Sequence, residues 1–227
     1  MKTIWVTLLS LSLAGGLEAA QNFGPRPPTP EEREESLWFH HPTNVYKAQE
    51  KLPVTWRRVA VLPVTVEGTD NVAESGRATQ EAVLWRELGK CRAFEVVMVS
   101  PQQLTDWTER SQWSAEEKLP ANLMAQIRDA TGCDAVLFAR LTQYRPYRPV
   151  AVGWSLKLVD RSGQTVLWAA DEVFDAGNPK VVRSAKEFAA GQLRGIPVSA
   201  DGEGILLSPS RFGQYAAGAL LATLPGR

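Results

Sequence analysis

Two histidines and two cysteines are all that 227 residues provide, and the formal charges cancel to zero. Each scarcity narrows the function. A histidine-dependent hydrolase would have only the adjacent His40 and His41 to use. Neighbouring residues point apart, and no Cys/His/Asp/Glu set at metal-ligand spacing surrounds the pair, so His40 and His41 read as part of a surface segment. Without a lysine or arginine block the chain lacks the basic face of a nucleic-acid binder, and no nucleic-acid partner is expected.

Catalytic signatures are missing as well. Gly-x-Ser-x-Gly, Ser-x-x-Lys, a phosphate-binding glycine loop ending in Lys-Ser/Thr and His-Glu-x-x-His do not occur. Asp171, Glu172 and Asp175 make an acidic group, but on a strand Asp171 and Glu172 face opposite ways. They fit arginine pairing or solvation better than a two-carboxylate glycosidase site. No catalytic, metal-binding or cofactor-binding residue is assigned. The expectation is a protein that is not an enzyme and carries no cofactor.

Long hydrophobic runs are also absent. Ile4 to Leu13 is shorter than the ~20 residues a spanning helix needs. Preceded by Lys2 and followed by the small-residue exit Gly15-Gly16-Leu17-Glu18-Ala19-Ala20, it reads as an export signal, residues 1–19, cut after Ala19. No cysteine stands near that exit, so no lipid attachment and no transmembrane segment after cleavage are expected. The protein is then periplasmic or secreted.

What is present is an α/β pattern behind a tether. Residues 20–55 are proline-rich and acidic, with Pro25, Pro27, Pro28 and Pro30 favouring extended backbone. Thr29-Pro30 followed by Glu31, Glu32, Glu34 and Glu35 predicts one short helix whose end, Leu37-Trp38-Phe39, is apolar. Residues 56–227 then form a single domain, since 44% apolar content suits one core.

Val59, Val61, Leu62, Val64 and Val66 lie in a near-continuous apolar run, suited to a strand covered on both faces. A helix follows from Asn71 to Gly89 on helical apolar spacing, then a strand over Phe94 to Val99. Ser100-Pro101 starts a short helix, and the polar stretch Thr105 to Lys118 loops outward carrying Trp107 and Trp113. Pro120 opens another helix that Gly132 ends, and Cys133 to Tyr144 is a strand. Residues 150–158 alternate as a strand buried on one side, Asp160-Arg161-Ser162-Gly163 turns, and Thr165 to Phe174 returns antiparallel in a register left open. Two helices, capped by Asn178-Pro179 and Ser208-Pro209, finish the chain. The fold class is α/β: a single mixed sheet of two or three parallel strands plus an antiparallel β-meander, flanked by helices, in the order β-α-β-α-β-β-β-α-α.

Cys91 and Cys133 each precede a strand at the same end of the parallel part. In an oxidising compartment one pairing exists for them, and closing that loop would contribute about 3–4 kcal/mol. Strand starts separated by an intervening strand lie ~10 Å apart, beyond disulfide reach unless Cys91 leans across. A disulfide and two buried thiols both stay open.

The order of elements, with Arg58-Val59-Ala60-Val61-Leu62-Pro63-Val64, Phe94-Glu95-Val96-Val97, Thr131-Gly132-Cys133-Asp134-Ala135-Val136-Leu137 and the Asp160 to Trp168 hairpin, resembles a group of bacterial envelope proteins. These are the amino-terminal domain of the Tol-system propeller protein, the curli-secretion channel lipoprotein, and the lipoprotein activators of penicillin-binding proteins. The likeness spans roughly Trp56 to Phe174. It implies action by binding partners in the envelope. The missing attachment cysteine departs from the usual anchor, and the secretion channel's membrane-crossing hairpins are not evident.

Two segments carry recognition chemistry. Tyr144-Arg145-Pro146-Tyr147-Arg148-Pro149 combines stiffening prolines with the side chains most enriched at interfaces, and the bland alternative is a connection whose tyrosines cover the core edge. Trp107 and Trp113, on their polar loop, would stack on sugar rings or a partner unless the loop packs back. The sequence thus leads to a non-enzymatic periplasmic or envelope interaction or assembly factor that binds an envelope protein through Tyr144, Arg145, Tyr147 and Arg148. The alternative is a glycan-binding module for peptidoglycan that uses exposed Trp107 and Trp113. A homo-oligomer is compatible with both.

Overall fold

The structure, a computed structural model, describes residues 39–53, 56–68, 71–192 and 202–226. The export signal, the proline run and its short helix lie outside the described residues. In chain order the elements are β1 (Val45–Lys47), β2 (Arg58–Val61), β3 (Thr65–Val66), α1 (Asn71–Lys90), β4 (Glu95–Met98), α2 (Pro101–Thr108) and α3 (Leu123–Thr131). There follow β5 (Ala135–Arg145), β6 (Ala151–Asp160), β7 (Val166–Asp175), α4 (Pro179–Gln192), a 3-10 turn (Glu203–Leu207) and α5 (Pro209–Leu221).

One mixed sheet has the order β1-β7-β6-β5-β2-β4, with β3 also pairing to β5. β2 runs parallel to β4 and to β5, while β5, β6 and β7 form the antiparallel meander. The expected architecture is there, with two short strands added. β3 continues the line of β2 beyond a break at Leu62–Val64. β1 comes from the segment read as tether and pairs antiparallel with β7, Tyr46 opposite Ala169. Leu52, also in that segment, is buried, and its amide donates to the Gly226 carbonyl at 2.8 Å. This part of the tether is therefore built into the domain.

β2 is apolar on both sides because both sides are covered. Val59 and Val61 join an inner cluster beneath α1, α4 and α5, which contribute Leu84, Val181 and Phe212. Ala60 and Leu62 join an outer cluster beneath α2 and α3, with Leu104, Leu123 and Ile127. Trp154, Trp168 and Phe174 are the largest fully buried side chains of the meander and lie on the inner face. Truncating a core aromatic of this size to alanine costs about 3–5 kcal/mol.

The hairpin register, open in the sequence, is fixed by a bulge on β7. Leu158 pairs with Trp168 but Val159 pairs with Val166, so Leu167 is the extra residue. Leu167 and Trp168 thereby both reach the inner cluster, which a regular strand forbids. Asp160 builds the turn, accepting hydrogen bonds from the amides of Gln164 (3.0 Å) and Thr165 (3.1 Å), while Gly163 takes φ +75°.

The two cysteines are free, which corrects the disulfide expectation. β2 stands between the strands they precede, and the thiols belong to opposite sides of the sheet. Cys91 packs against the inner cluster and Cys133 is buried in the outer one.

Candidate functional site

β5 ends at Arg145 and β6 begins at Ala151, so the Tyr-Arg-Pro segment caps one end of the meander. Its members take different roles. Tyr144 packs partly buried against the inner cluster. Its ring lies so close over α1 that a Cβ added at Gly76 would stand 2.4 Å from two ring carbons. Arg145 Nη2 is 2.6 Å from Asp175 Oδ1 on β7, and its Nε donates to the Pro149 carbonyl. Arg148 Nη2 stands 3.6 Å from Glu203 Oε2, whose other oxygen pairs with Lys186, and the Arg148–Pro149 peptide is cis. Tyr147, between these tethered flanks, is 80% exposed.

The bland alternative thus holds for Tyr144, and both arginines turn to carboxylates of their own chain. Tyr147 is the most openly presented, and Arg148 is still 58% exposed beside it. Of the acidic trio, Asp175 pairs with Arg145 as expected, and Asp171 and Glu172 lie on opposite faces of β7.

The tryptophans depart from expectation. α2 runs to Thr108, and the rest of the loop folds back. Trp113 is 8% exposed in the outer cluster, its indole N–H donates to Thr108 Oγ1 at 2.8 Å, and the Arg110 guanidinium lies 4.0 Å from its ring centroid. Trp107 packs partly buried against the same cluster. Among the described residues neither Trp107 nor Trp113 offers an exposed platform, because two large apolar rings beside an open edge of the core bury themselves.

That burial sets the next segment in place. Ser114 N–H donates to Glu117 Oε2 at 2.9 Å, and Glu117 also pairs with Arg110. Glu116 then reaches over the outer face of β5 and β6, 3.2 Å from Lys157 Nζ and 3.9 Å from Arg140 Nη1. Burial acts to raise the Glu116 pKa, but hydrogen bonds from Ser114 and Lys157 and the charge of Arg140 outweigh it, leaving the carboxyl below its ordinary range. Beside it a groove of about 240 Å³ opens on the sheet, lined among others by Tyr46, Arg140, Ser155 and Asp171. Of these residues only Asp171 stands out in the sequence, as one of the acidic trio. Their signal was the small and polar alternation Gly153, Ser155, Lys157 on β6 and Ala169, Asp171 on β7.

His40 is not a surface residue. Its ring meets Phe174 edge-on at 5.2 Å, its Nε2 is 3.5 Å from Glu172 Oε1, and its backbone N–H donates to Ser184 Oγ at 2.8 Å. Glu172 Oε2 also accepts from the Thr43 amide at 3.0 Å. Burial, chiefly, pushes the His40 pKa down, with His41 and Lys180 acting the same way and Glu172 against them. These contacts fasten the chain leading into β1.

A second groove, of about 490 Å³, opens beside the ends of α1 and α5, where Cys91, Leu221, Leu224 and Pro225 meet Glu87. Glu87 is 5% exposed and pairs with Lys90 at 2.7 Å. Burial first, then Glu87, raises the Cys91 thiol pKa. Among the described residues no three His, Cys, Asp or Glu side chains are placed to hold a metal ion, and no helix is long and apolar enough to cross a membrane.

No family model and no curated protein matches the chain. Several solved structures are similar to it. A PelC dodecamer from Paraburkholderia phytofirmans is 14% identical with a TM-score of 0.47, over 81% of this chain and 97% of that one. Lipoprotein GNA1162 from Neisseria meningitidis is 19% identical, with 54% and 85% covered and a TM-score of 0.38. The LpoB C-terminal domain from Salmonella enterica is 16% identical, with 55% and 87% covered and a TM-score of 0.36.

Proposed function

We propose that the protein is a non-enzymatic interaction factor of the bacterial envelope that binds a partner protein through the β5–β6 connection. The observation that carries this is Tyr147, 80% exposed on a segment whose flanks are tied to β7 and to the turn before α5. A large aromatic held out on a pre-ordered loop loses little entropy on binding and suits an interface anchor. In this reading the protein works in the periplasm or outside the cell, which the export signal read at residues 1–19 supports.

The arginines support the loop in this account and do not supply the contact. Affinity capture from envelope extracts distinguishes the roles. Tyr147→Ala should lose the partner while leaving the unfolding midpoint unchanged, and Arg145→Ala should lower the midpoint. Retention of every captured protein by Tyr147→Ala removes the β5–β6 connection as the contact.

A further inference from the structure

We infer that the groove on the outer face of β5, β6 and β7 is a binding site for a neutral saccharide. It is separate from the β5–β6 connection and does not depend on a role for Tyr147. Three observations converge on it.

The first is an aromatic ring beside unused polar groups. Tyr46 is 53% exposed on the outer side of β1, directly across from Ala169, whose small side chain leaves room above the sheet. An exposed tyrosine next to a hollow offers a flat apolar surface with a hydroxyl at its rim, the combination suited to the C–H face of a pyranose ring.

The second is that donors and acceptors are left over together. The Arg140 side chain is 25% exposed, and its Nη1 is 3.9 Å from Glu116, longer than a hydrogen bond, so its guanidinium keeps donors to spare. On the other side of the groove the Asp171 carboxylate makes no hydrogen bond or ion pair to another described residue. Sugar hydroxyls donate and accept at once, so one ligand can satisfy both groups.

The third is charge balance. Arg140 and Lys157 face Glu116 and Asp171 across the groove, two cations and two anions. An anionic ligand would meet the acids and a cationic one the bases, whereas a neutral polyol meets no net opposition. Glu116 itself is held from behind, since buried Trp113 and the Ser114–Glu117 contact fix the segment that carries it. The wall is therefore formed before any ligand arrives, which lowers the cost of binding.

Calorimetric titration of the full exported chain with cellotetraose and with the N-acetylglucosamine tetramer tests the assignment. At least one should bind with Kd on the order of 0.1–1 mM. Tyr46→Ala should weaken it roughly tenfold or more, and Tyr46→Trp should restore it. Because Tyr46 sits on a short edge strand, Asp171→Asn is the second variant. Its carboxylate supports no other described side chain, so it should weaken binding by about tenfold with an unchanged unfolding midpoint. Tyr147→Ala should bind like the parent. Absence of binding by both tetrasaccharides at about 20 mM, or binding that survives Tyr46→Ala and Asp171→Asn alike, overturns the proposal.

Discussion

Gly76 on α1 lies directly under the ring of Tyr144: a Cβ at position 76 would be 2.4 Å from ring carbons Cδ1 and Cε1. The glycine lets a strand end and a helix approach closely, and it sets where the β5–β6 connection leaves the domain. Next to it, Gln80 Nε2 donates to the Pro209 carbonyl at 3.0 Å, tying α1 to the start of α5. The loop that carries Tyr147 therefore rests on the inner core.

Gly76→Ala should destabilise although it sits inside a helix. Alanine gains about 0.5–1 kcal/mol of helix propensity there. Overpacking costs about 1–3 kcal/mol. We expect a net loss of about 1–2 kcal/mol in urea unfolding. In a Tyr144→Ala background the same change should cost nothing or stabilise, because the ring is gone. Equal costs in both backgrounds would refute the contact.

Docking of the segment before β1 should weaken in acid. A histidine whose pKa is depressed below its ordinary value of 6.5 holds a proton less well docked than free. The contribution of His40 is then complete above that value and is lost as pH falls through the docked pKa. Hydrogen exchange at the His40 amide, which donates to Ser184, reads this directly. After correction for the intrinsic rate, protection should fall as pH drops below 6.5, and His40→Gln should remove the pH dependence. Tyr215, pushed up to about 12 chiefly by burial, does not titrate in that window. A flat profile in the parent protein contradicts the latch.

Thiol chemistry separates the two cysteines. Denatured protein should yield both thiols to a disulfide reagent, since neither is bonded. In native protein Cys133, 2% exposed, should stay unreactive, while Cys91 reacts slowly and faster as pH rises because its thiol pKa is raised by burial and then by Glu87. A single thiol-free form that appears on oxidation without unfolding would mean that the sheet can rearrange to bring the two together.

Much of the fold was legible because periodicity and capping agree along the chain. Ser100 and Gln103 make the capping box that starts α2, and Gly132 at φ 64° ends α3, as glycine after an apolar stripe indicates. β1 was not legible, since three residues with one partner strand carry no periodic signal. The site was read less well for a related reason. Trp113, His40 and Arg145 read as surface groups in the sequence, and their partners in the fold, Thr108, Phe174 and Asp175 respectively, cover or hold them instead. The Tyr46 groove combines a segment read as tether with strand faces far along the chain, a juxtaposition that no local pattern encodes.

The most direct test of the central claim is site-specific photo-crosslinking in intact cells from position 147, with exposed position 86 on α1 as the control. A photoreactive residue at 147 should give one discrete adduct with an envelope protein, and the same residue at 86 should not. Equal adducts from both positions, or none from 147 in folded and exported protein, would contradict the account.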